Sequence, residues 1–292
     1  MKIAIIGLGR WGKNLLREYS KICSVPICIT KSDKNNIVWL KNNYPTVRHT
    51  NRFEDVLNNK NIDAVAIATP IKTHFDLAFR ALRAGKHVFL EKPIATNSHD
   101  AKKLLEVANN RKLVLFVGHV FFYHPVLTKL KSIIKNEPIQ YARLNWFNFG
   151  SFKEDILLDL VSQEISIILE LIGTPKKIFW LDNKKIIKNS DLVTLQLDFG
   201  GKKNCIINTN RTSTYKKKSM TIITSKNLFI WEDDILYKLD RKKLSFHVAY
   251  SSKKTPLELE CKEFIKSINN NNKKLVNARN AVKIIRILEM IP

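Results

Sequence analysis

Lys2-Ile3-Ala4-Ile5-Ile6-Gly7-Leu8-Gly9-Arg10-Trp11-Gly12-Lys13-Asn14 is the stretch on which the fold turns. Lys2–Ile6 is an apolar run of strand length, and a helical pattern of apolar residues follows over Gly12–Tyr19. Between them stands G-x-G-x-x-G, formed by Gly7, Gly9 and Gly12. Gly7 permits a tight turn, Gly9 lets the backbone approach a pyrophosphate, and Gly12 allows helix and strand to pack closely. A helix that starts there aims its free N–H groups and positive dipole end at phosphate. Gly-rich turns recur by chance, so the strand before and the helix after give this one its meaning. Gly7, Gly9, Arg10, Trp11 and Gly12 are therefore the expected dinucleotide contacts.

Working outward, residues 1–120 alternate short apolar runs with amphipathic segments. Strands are expected at Lys2–Ile6, Val25–Thr30, Ala64–Ala68, His87–Leu90 and Leu113–Val117. Helical patterns lie between them at Gly12–Tyr19, Asn35–Asn43, Phe53–Asn58, His74–Ala84 and Ser98–Asn109. Such alternation predicts an α/β unit, a Rossmann doubly wound parallel sheet, over residues 1–120. After Gly118 the texture changes. A helix at Pro125–Lys135 leads to strands at Tyr141–Phe147, Leu192–Phe199, Asn204–Thr209 and Met220–Thr224, interrupted by one strong helix, Asp159–Leu171. Helices at Leu257–Ile268 and Ala278–Met290 close the chain. Strands in succession predict an α+β domain over residues 121–292, an open, mainly antiparallel sheet covered by helices. At 292 residues there is room for both domains to bury a core.

The net charge of +24 comes from 50 Lys and Arg against 26 Asp and Glu. Lysines are scattered beside asparagines throughout, as in Lys41-Asn42-Asn43, and form no continuous basic arm. The excess reads as a chain-wide bias rather than a specific nucleic-acid surface, though it could draw in an anionic substrate. Cys23, Cys28, Cys205 and Cys261 show neither C-x-x-C spacing nor clustered His, so no metal site and no disulfide framework are expected. No stretch approaches the ~20 apolar residues of a membrane span. The first strand begins at Lys2 without a leader-like run, and a cytoplasmic location without membrane contact is the expectation.

Dinucleotide sites that take NAD carry an acidic residue at the end of the second strand, about 20 residues after the glycines. Here Thr30-Lys31-Ser32 occupies that place, and Asp33 follows. Hydroxyls and a cation suit a 2′-phosphate, so NADP is favoured over NAD, with Asp33 still in reach of a ribose hydroxyl. Ala68-Thr69-Pro70 ends a central strand, and ligands bind beyond the carboxyl ends of parallel strands. Thr69, Pro70 and His74 are thus expected to line the cofactor cleft. His74 reads equally well as a helix-start residue with a satisfied hydrogen bond.

Glu91-Lys92-Pro93 follows the strand at His87–Leu90. With the glycine motif, Ala68-Thr69-Pro70, the crossing segment Gly118-His119-Val120-Phe121-Phe122-Tyr123-His124-Pro125 and the late helix Pro256–Ile265, the chain resembles the glucose–fructose oxidoreductase/inositol dehydrogenase (Gfo/Idh/MocA) family along essentially its whole length. The likeness is nearest to members acting on nucleotide-linked sugars. It implies an NAD(P)-dependent sugar dehydrogenase or reductase in which Glu91 and Lys92 adjoin the nicotinamide. Lys92 contacts the reacting hydroxyl, and Pro93 often follows a cis bond. It also implies a homo-oligomer, dimer or tetramer, built on the open sheets.

In the family an Asp-x-x-x-His pair opens the substrate-domain helix, with the His as proton acceptor. Asp159 matches, but Gln163 stands where that His is expected. Gln can hydrogen-bond a hydroxyl but cannot take its proton. Either Lys92 handles the proton with Asp159 and Gln163 orienting the substrate, or the protein binds dinucleotide with impaired catalysis. Asp159, Gln163, Ser166 and Glu170 share one polar stripe that faces either the cleft or water, and Glu164 points about 100° away. Tyr123 and His124 are candidate substrate contacts, although His124 could simply cap the helix that begins at Pro125. Arg211 takes a position where sugar-nucleotide relatives have Trp, with Lys216 and Lys218 following. These cations meet an anionic group or form a solvated strand edge.

Overall fold

The computed structural model describes residues 1–30, 34–150, 152–188, 190–201, 203–270 and 276–292. They pack as two units: Met1–His119 with Leu257–Ile285, and Val120–Pro256 with Arg286–Pro292.

In the first unit the elements run β1 (Lys2–Ile6), α1 (Arg10–Ser20), β2 (Ser24–Ile29), α2 (Lys34–Asn43), β3 (Arg48–Thr50), α3 (Glu54–Leu57), β4 (Ala64–Ile67), α4 (His74–Arg83), β5 (His87–Glu91), α5 (Ser98–Asn110) and β6 (Leu115–Gly118). Among the described residues the strands form a six-stranded sheet in the order β3-β2-β1-β4-β5-β6. Every pair in it is parallel. This is the order of dinucleotide-binding sheets, and its direction of winding reverses between β1 and β4. Both strands are buried along their apolar stretches, Ile3–Ile6 and Ala64–Ile67, as central strands covered on two faces must be.

The second unit begins at α6 (Pro125–Ile133) and continues through β7 (Ile139–Phe147), α7 (Ser162–Leu171), β8 (Lys177–Lys184), β9 (Leu192–Asp198), β10 (Asn204–Asn210), β11 (Lys217–Thr224), β12 (Leu228–Glu232), β13 (Ile235–Asp240) and β14 (Ser245–Ser251). Its sheet has the order β14-β13-β12-β11-β7-β10-β9-β8 among the described residues. All neighbours are antiparallel except β7 and β10. Burial alternates strictly along β9 and β10, so one sheet face carries Val193, Leu195, Leu197, Cys205 and Ile207 into a core.

Two helices then close the chain, α8 (Pro256–Asn269) and α9 (Val276–Leu288). Sequence reading placed them in a second domain over residues 121–292, whereas the segment Leu257–Ile285 packs into the first unit. Phe264 of α8 lies 6.2 Å from Tyr19, 5.7 Å from Phe89 and 5.7 Å from Phe116, edge-on in each case. Such pairs each add about 0.5–1.5 kcal/mol beyond area burial. Asn277 of α9 treats the edge strand β6 as a neighbouring strand would. Its Oδ1 accepts from Val117 N at 2.5 Å, and its Nδ2 donates to Val117 O at 3.0 Å. Among the described residues no helix is long and apolar enough to cross a membrane.

Candidate active site

The glycine turn is built by exclusion. Gly7 has φ +93°, and a Cβ there would stand 2.5 Å from Ala68 O. At Gly12 a Cβ would stand 1.8 Å from Gly7 O, so α1 meets the turn only because no side chain intervenes. At Gly9 nothing lies within 4 Å of the Cβ position, which leaves that face open to a ligand. No side chain caps the N-terminus of α1 and no acidic residue sits in its first turn. Its N–H groups and positive dipole end therefore suit an anion. Tight packing behind and open space in front fit a dinucleotide pyrophosphate.

Contacts tie the remaining first-unit residues to this turn. Gly7 N donates to Ile29 O at 2.8 Å, beside Thr30 at the end of β2. Thr30 is buried, while Lys31 and Ser32 lie outside the described residues. Thr69 Cγ2 is 2.9 Å from the Gly7 Cβ position, and its hydroxyl receives that of Thr73 at 2.8 Å. Pro70 is exposed. His74 is buried, with Nε2 2.9 Å from Thr69 O and Nδ1 2.8 Å from Pro93 O. It thus clasps the β4 turn to the turn after β5. Arg10 and Trp11 are exposed at the start of α1.

The Lys92–Pro93 peptide is cis. Glu91 pairs with Gly118 in register, so Lys92 and His119 follow side by side at the carboxyl ends of β5 and β6. Lys92 is half-buried and His119 fully buried. Burial, and then the Lys92 charge, push His119 down to about 3, so its ring is neutral. Glu91 turns inward. Burial pushes its carboxyl up to about 8, against the pull of Lys92 and the Trp11 side chain. Buried Glu260 of α8 is pushed well up by burial and by Glu91. Glu91 is therefore a largely protonated group beneath Trp11 and Lys92.

In the second unit Leu157–Val161 forms a π-helical turn ahead of α7, which shifts the phase assumed for a regular helix over Asp159–Leu171. Asp159 and Gln163 are half-buried, and Gln163 Nε2 donates to Asp159 O at 3.0 Å. The expected polar stripe does not face one solvent: Ser166 is buried and donates to Gln163 O at 2.6 Å, while Glu170 pairs with Lys131. Glu164 is fully buried and accepts from the Thr209 hydroxyl on β10. Burial pushes it up to about 8, against the pull of Thr209 and the Lys218 charge.

Tyr123 is half-buried. His124 is buried and caps α6, its Nδ1 accepting from Val126 N at 3.3 Å. Arg211 is no solvated strand edge: it is 2% exposed and its Nε donates to buried Asp191 at 2.8 Å. Its cation is neutralised within the fold, which removes it from the set of substrate cations. Lys216 is exposed, and Lys218 Nζ lies 3.9 Å above the Trp146 ring. Among the described residues no cluster of His, Cys, Asp or Glu is placed to hold a metal ion.

Sequence reading gave no role to His119, quoted only within the crossing segment, and set Glu164 aside as pointing away from the polar stripe. His119 had a signal, its place directly after a parallel strand. Glu164 had only the interruption of an apolar helix face.

The profile of the oxidoreductase family with an NAD-binding Rossmann fold (Gfo/Idh/MocA) matches residues 1–119. UDP-N-acetylglucosamine 3-dehydrogenase of Acidithiobacillus ferrooxidans is 35% identical over 114 residues, 38% of this chain and 36% of that protein. The dTDP-3,4-didehydro-2,6-dideoxy-alpha-D-glucose 3-reductase of Streptomyces violaceoruber is 37% identical over 82 residues, 28% of this chain and 24% of that protein. The match thus spans about a third or less of these curated relatives. The solved structure of the A. ferrooxidans enzyme superposes with a TM-score of 0.90 at 20% identity, covering 99% of this chain and 95% of that one, which is a likeness of fold. Residues 1–119, which carry the glycine turn and the sheet order, thus match the NAD-binding Rossmann domain of the Gfo/Idh/MocA oxidoreductases.

Proposed function

We propose that this chain is an NAD(P)-dependent oxidoreductase that moves a hydride between a nicotinamide cofactor and the hydroxyl or ketone carbon of a sugar, either nucleotide-linked or phosphorylated. The placement of Lys92 carries the reading. It is half-buried beside His119, and Pro93, His74 and Thr69 link it to the glycine turn. Gly7, Gly9, Arg10 and Gly12 would hold the pyrophosphate. Trp11, Thr69, Pro70, His74 and Glu91 surround the nicotinamide end, with Glu91 acting from beneath. Thr30, Lys31 and Ser32, in place of an acidic residue, favour NADP.

A bound nicotinamide supplies the hydride acceptor or donor. The protein must then manage one proton. As the amine, Lys92 Nζ takes it from the hydroxyl during oxidation; as the ammonium, it returns it to the ketone oxygen during reduction. His119 stays uncharged beside Lys92 and so adds no competing cation. Asp159 and Gln163 orient the sugar through hydrogen bonds. A second reading, dinucleotide binding without turnover, is favoured by Gln163, whose amide is engaged by Asp159 O.

A cytoplasmic homo-oligomer completes the proposal. Phe179 and Leu181 on β8, and Phe246 and Val248 on β14, are exposed apolar side chains on the two edge strands of the second sheet. They are the kind of surface that a dimer or tetramer covers.

The test titrates NADPH and NADH into purified protein and screens UDP-sugars, sugar phosphates and free polyols at the nicotinamide absorbance band. Turnover of an anionic sugar with tighter NADPH binding is expected. Cofactor binding without turnover would favour the second reading, and no binding of either nucleotide would overturn both.

A further inference from the structure

Two carboxyl groups of the first unit lie buried behind Lys92 with oxygens that the fold leaves unpaired. Glu91 Oε1 and both carboxyl oxygens of Glu260 have no hydrogen-bond partner among the described residues. The two groups are near enough to feel each other's charge. Aromatic rings enclose the space: Tyr19 is 5.9 Å from Phe89 and 6.2 Å from Phe264, and Phe89 is 5.7 Å from Phe116. Glu91 can turn inward because β6 ends in glycine. A Cβ at Gly118 would stand 3.2 Å from Glu91 Oε1 and 3.1 Å from Phe89 Cζ.

An unpaired charge in such a place is costly, and two neighbouring carboxylates repel, so at most one of the pair ionises. What faces each group decides which one. Glu91 has the Lys92 charge at its rim and a hydrogen bond from the Trp11 side chain, and both favour its carboxylate. His119, beside Lys92, is neutral and adds no charge. The titratable groups around Glu260 are Glu91, Tyr19 and Cys261, none of them a cation, and beyond Cys261 stands the acidic Glu18. Glu260 therefore keeps its proton, and Glu91, raised to about 8 by burial, is the member that titrates near neutrality.

The ligand side of Glu91 is the side of Trp11 and Lys92, where the nicotinamide end of the cofactor is proposed to lie. An oxidised nicotinamide ring carries a positive charge that the reduced ring lacks. A positive charge within a few ångströms favours a carboxylate over a carboxylic acid. The route to solvent is short, since Lys92 is half-buried and Trp11 exposed.

We propose that Glu91 is a charge-compensating carboxyl that discriminates between the two redox forms of the cofactor: ionised beside the oxidised nicotinamide, protonated beside the reduced one, with Glu260 neutral behind it. When the oxidised form binds, the Glu91 O–H bond breaks and its proton passes to solvent. When hydride transfer removes the ring charge, Glu91 regains one proton, the one that Lys92 accepts from the sugar hydroxyl. The inference rests on the nicotinamide oxidoreductase reading.

Its test needs no sugar and no turnover. Isothermal titration calorimetry in two buffers of different ionisation enthalpy counts the protons released as NADP+ or NADPH binds, in wild type, Glu91→Gln and Glu260→Gln. At pH 7 the wild type should release about 0.5 to 1 proton more with NADP+ than with NADPH. Its affinity for NADP+ relative to NADPH should rise about five- to tenfold from pH 6.5 to pH 7.5. Both effects should vanish in Glu91→Gln and persist in Glu260→Gln. The phosphates are common to the two forms, so their titration cancels in the comparison.

Equal proton release with the two forms in wild type would overturn the inference whatever the variants do, and would leave the oxidoreductase reading intact. Extra release that survives in Glu91→Gln would overturn it by assigning the proton to Lys92. Extra release lost in a Glu260→Gln protein that still binds NADPH would overturn it by assigning the proton to α8. Failure of either nucleotide to bind wild type would overturn the inference together with the reading beneath it.

Discussion

Glu164→Gln isolates a carboxyl hidden behind the helix that carries Gln163. Glu164 is 0% exposed, and burial pushes it from an ordinary 4.5 up to about 8. A carboxyl raised in this way binds its proton more tightly in the folded state than in the unfolded one. Its contribution to stability is whole below about pH 4.5 and is lost as pH rises towards 8. Each pH unit in that window costs about 1.4 kcal/mol, so the loss between pH 5 and pH 7 is about 2 to 3 kcal/mol. Gln keeps an oxygen for the Thr209 hydroxyl but cannot ionise. Urea unfolding at pH 5, 6 and 7 is followed by tryptophan emission in wild type and variant with Trp11 and Trp39 of the first unit replaced by Phe, so that the signal comes from Trp146, Trp180 and Trp231 of the second. The carboxyls elsewhere titrate alike in both proteins, so the difference between them belongs to position 164. The variant should gain about 2 to 3 kcal/mol on wild type between pH 5 and pH 7. Parallel stability profiles over that range would refute the assignment of a buried, proton-holding Glu164.

Other substitutions report on separate links. Asn277→Ala strips the Val117 N–H on β6 of its acceptor, while Val117 O keeps His119 N; the unpaired N–H costs about 1–3 kcal/mol, and denaturant unfolding should show that loss in the first unit. Arg211→Ala leaves Asp191 buried without its cation, and the second unit should lose about 3–5 kcal/mol in the same assay. Gly12→Ala puts a Cβ 1.8 Å from Gly7 O, forcing α1 off the glycine turn. The NADPH dissociation constant, read by nucleotide fluorescence, should rise on the order of 100-fold, about 3 kcal/mol.

What local pattern controls was legible in the residues alone. The strand, glycine and helix sequence at Lys2–Tyr19 led directly to β1, the turn and α1, because chain geometry there depends on neighbours a few residues apart. The short strand β3 went unseen, since Arg48-His49-Thr50 has too few residues for a period to register. So did β8, whose residues are largely exposed and carry little apolar alternation, and β14. The amphipathic stripes of α8 and α9 announced a buried face but not which core would receive it, and Phe264 and Asn277 belong to the first unit. Arg211 and Asp191 lie 20 residues apart and meet only through the register of the sheet. The π-turn before α7 likewise has no marker in Leu157–Val161, so the polar stripe drawn for a regular helix lost its phase there. Lys31 and Ser32, on which the choice of NADP rests, fall outside the described residues.

The central claim concerns Lys92, so the most direct measurement is single-turnover hydride transfer in wild type and Lys92→Ala, each saturated with cofactor and an accepted sugar. Nicotinamide affinity should stay within a few-fold, because the glycine turn is untouched. The transfer rate should fall by about 10²–10⁴, the usual worth of a positioned proton-transfer group. Transfer in Lys92→Ala at the wild-type rate would contradict the account and move the proton to another group.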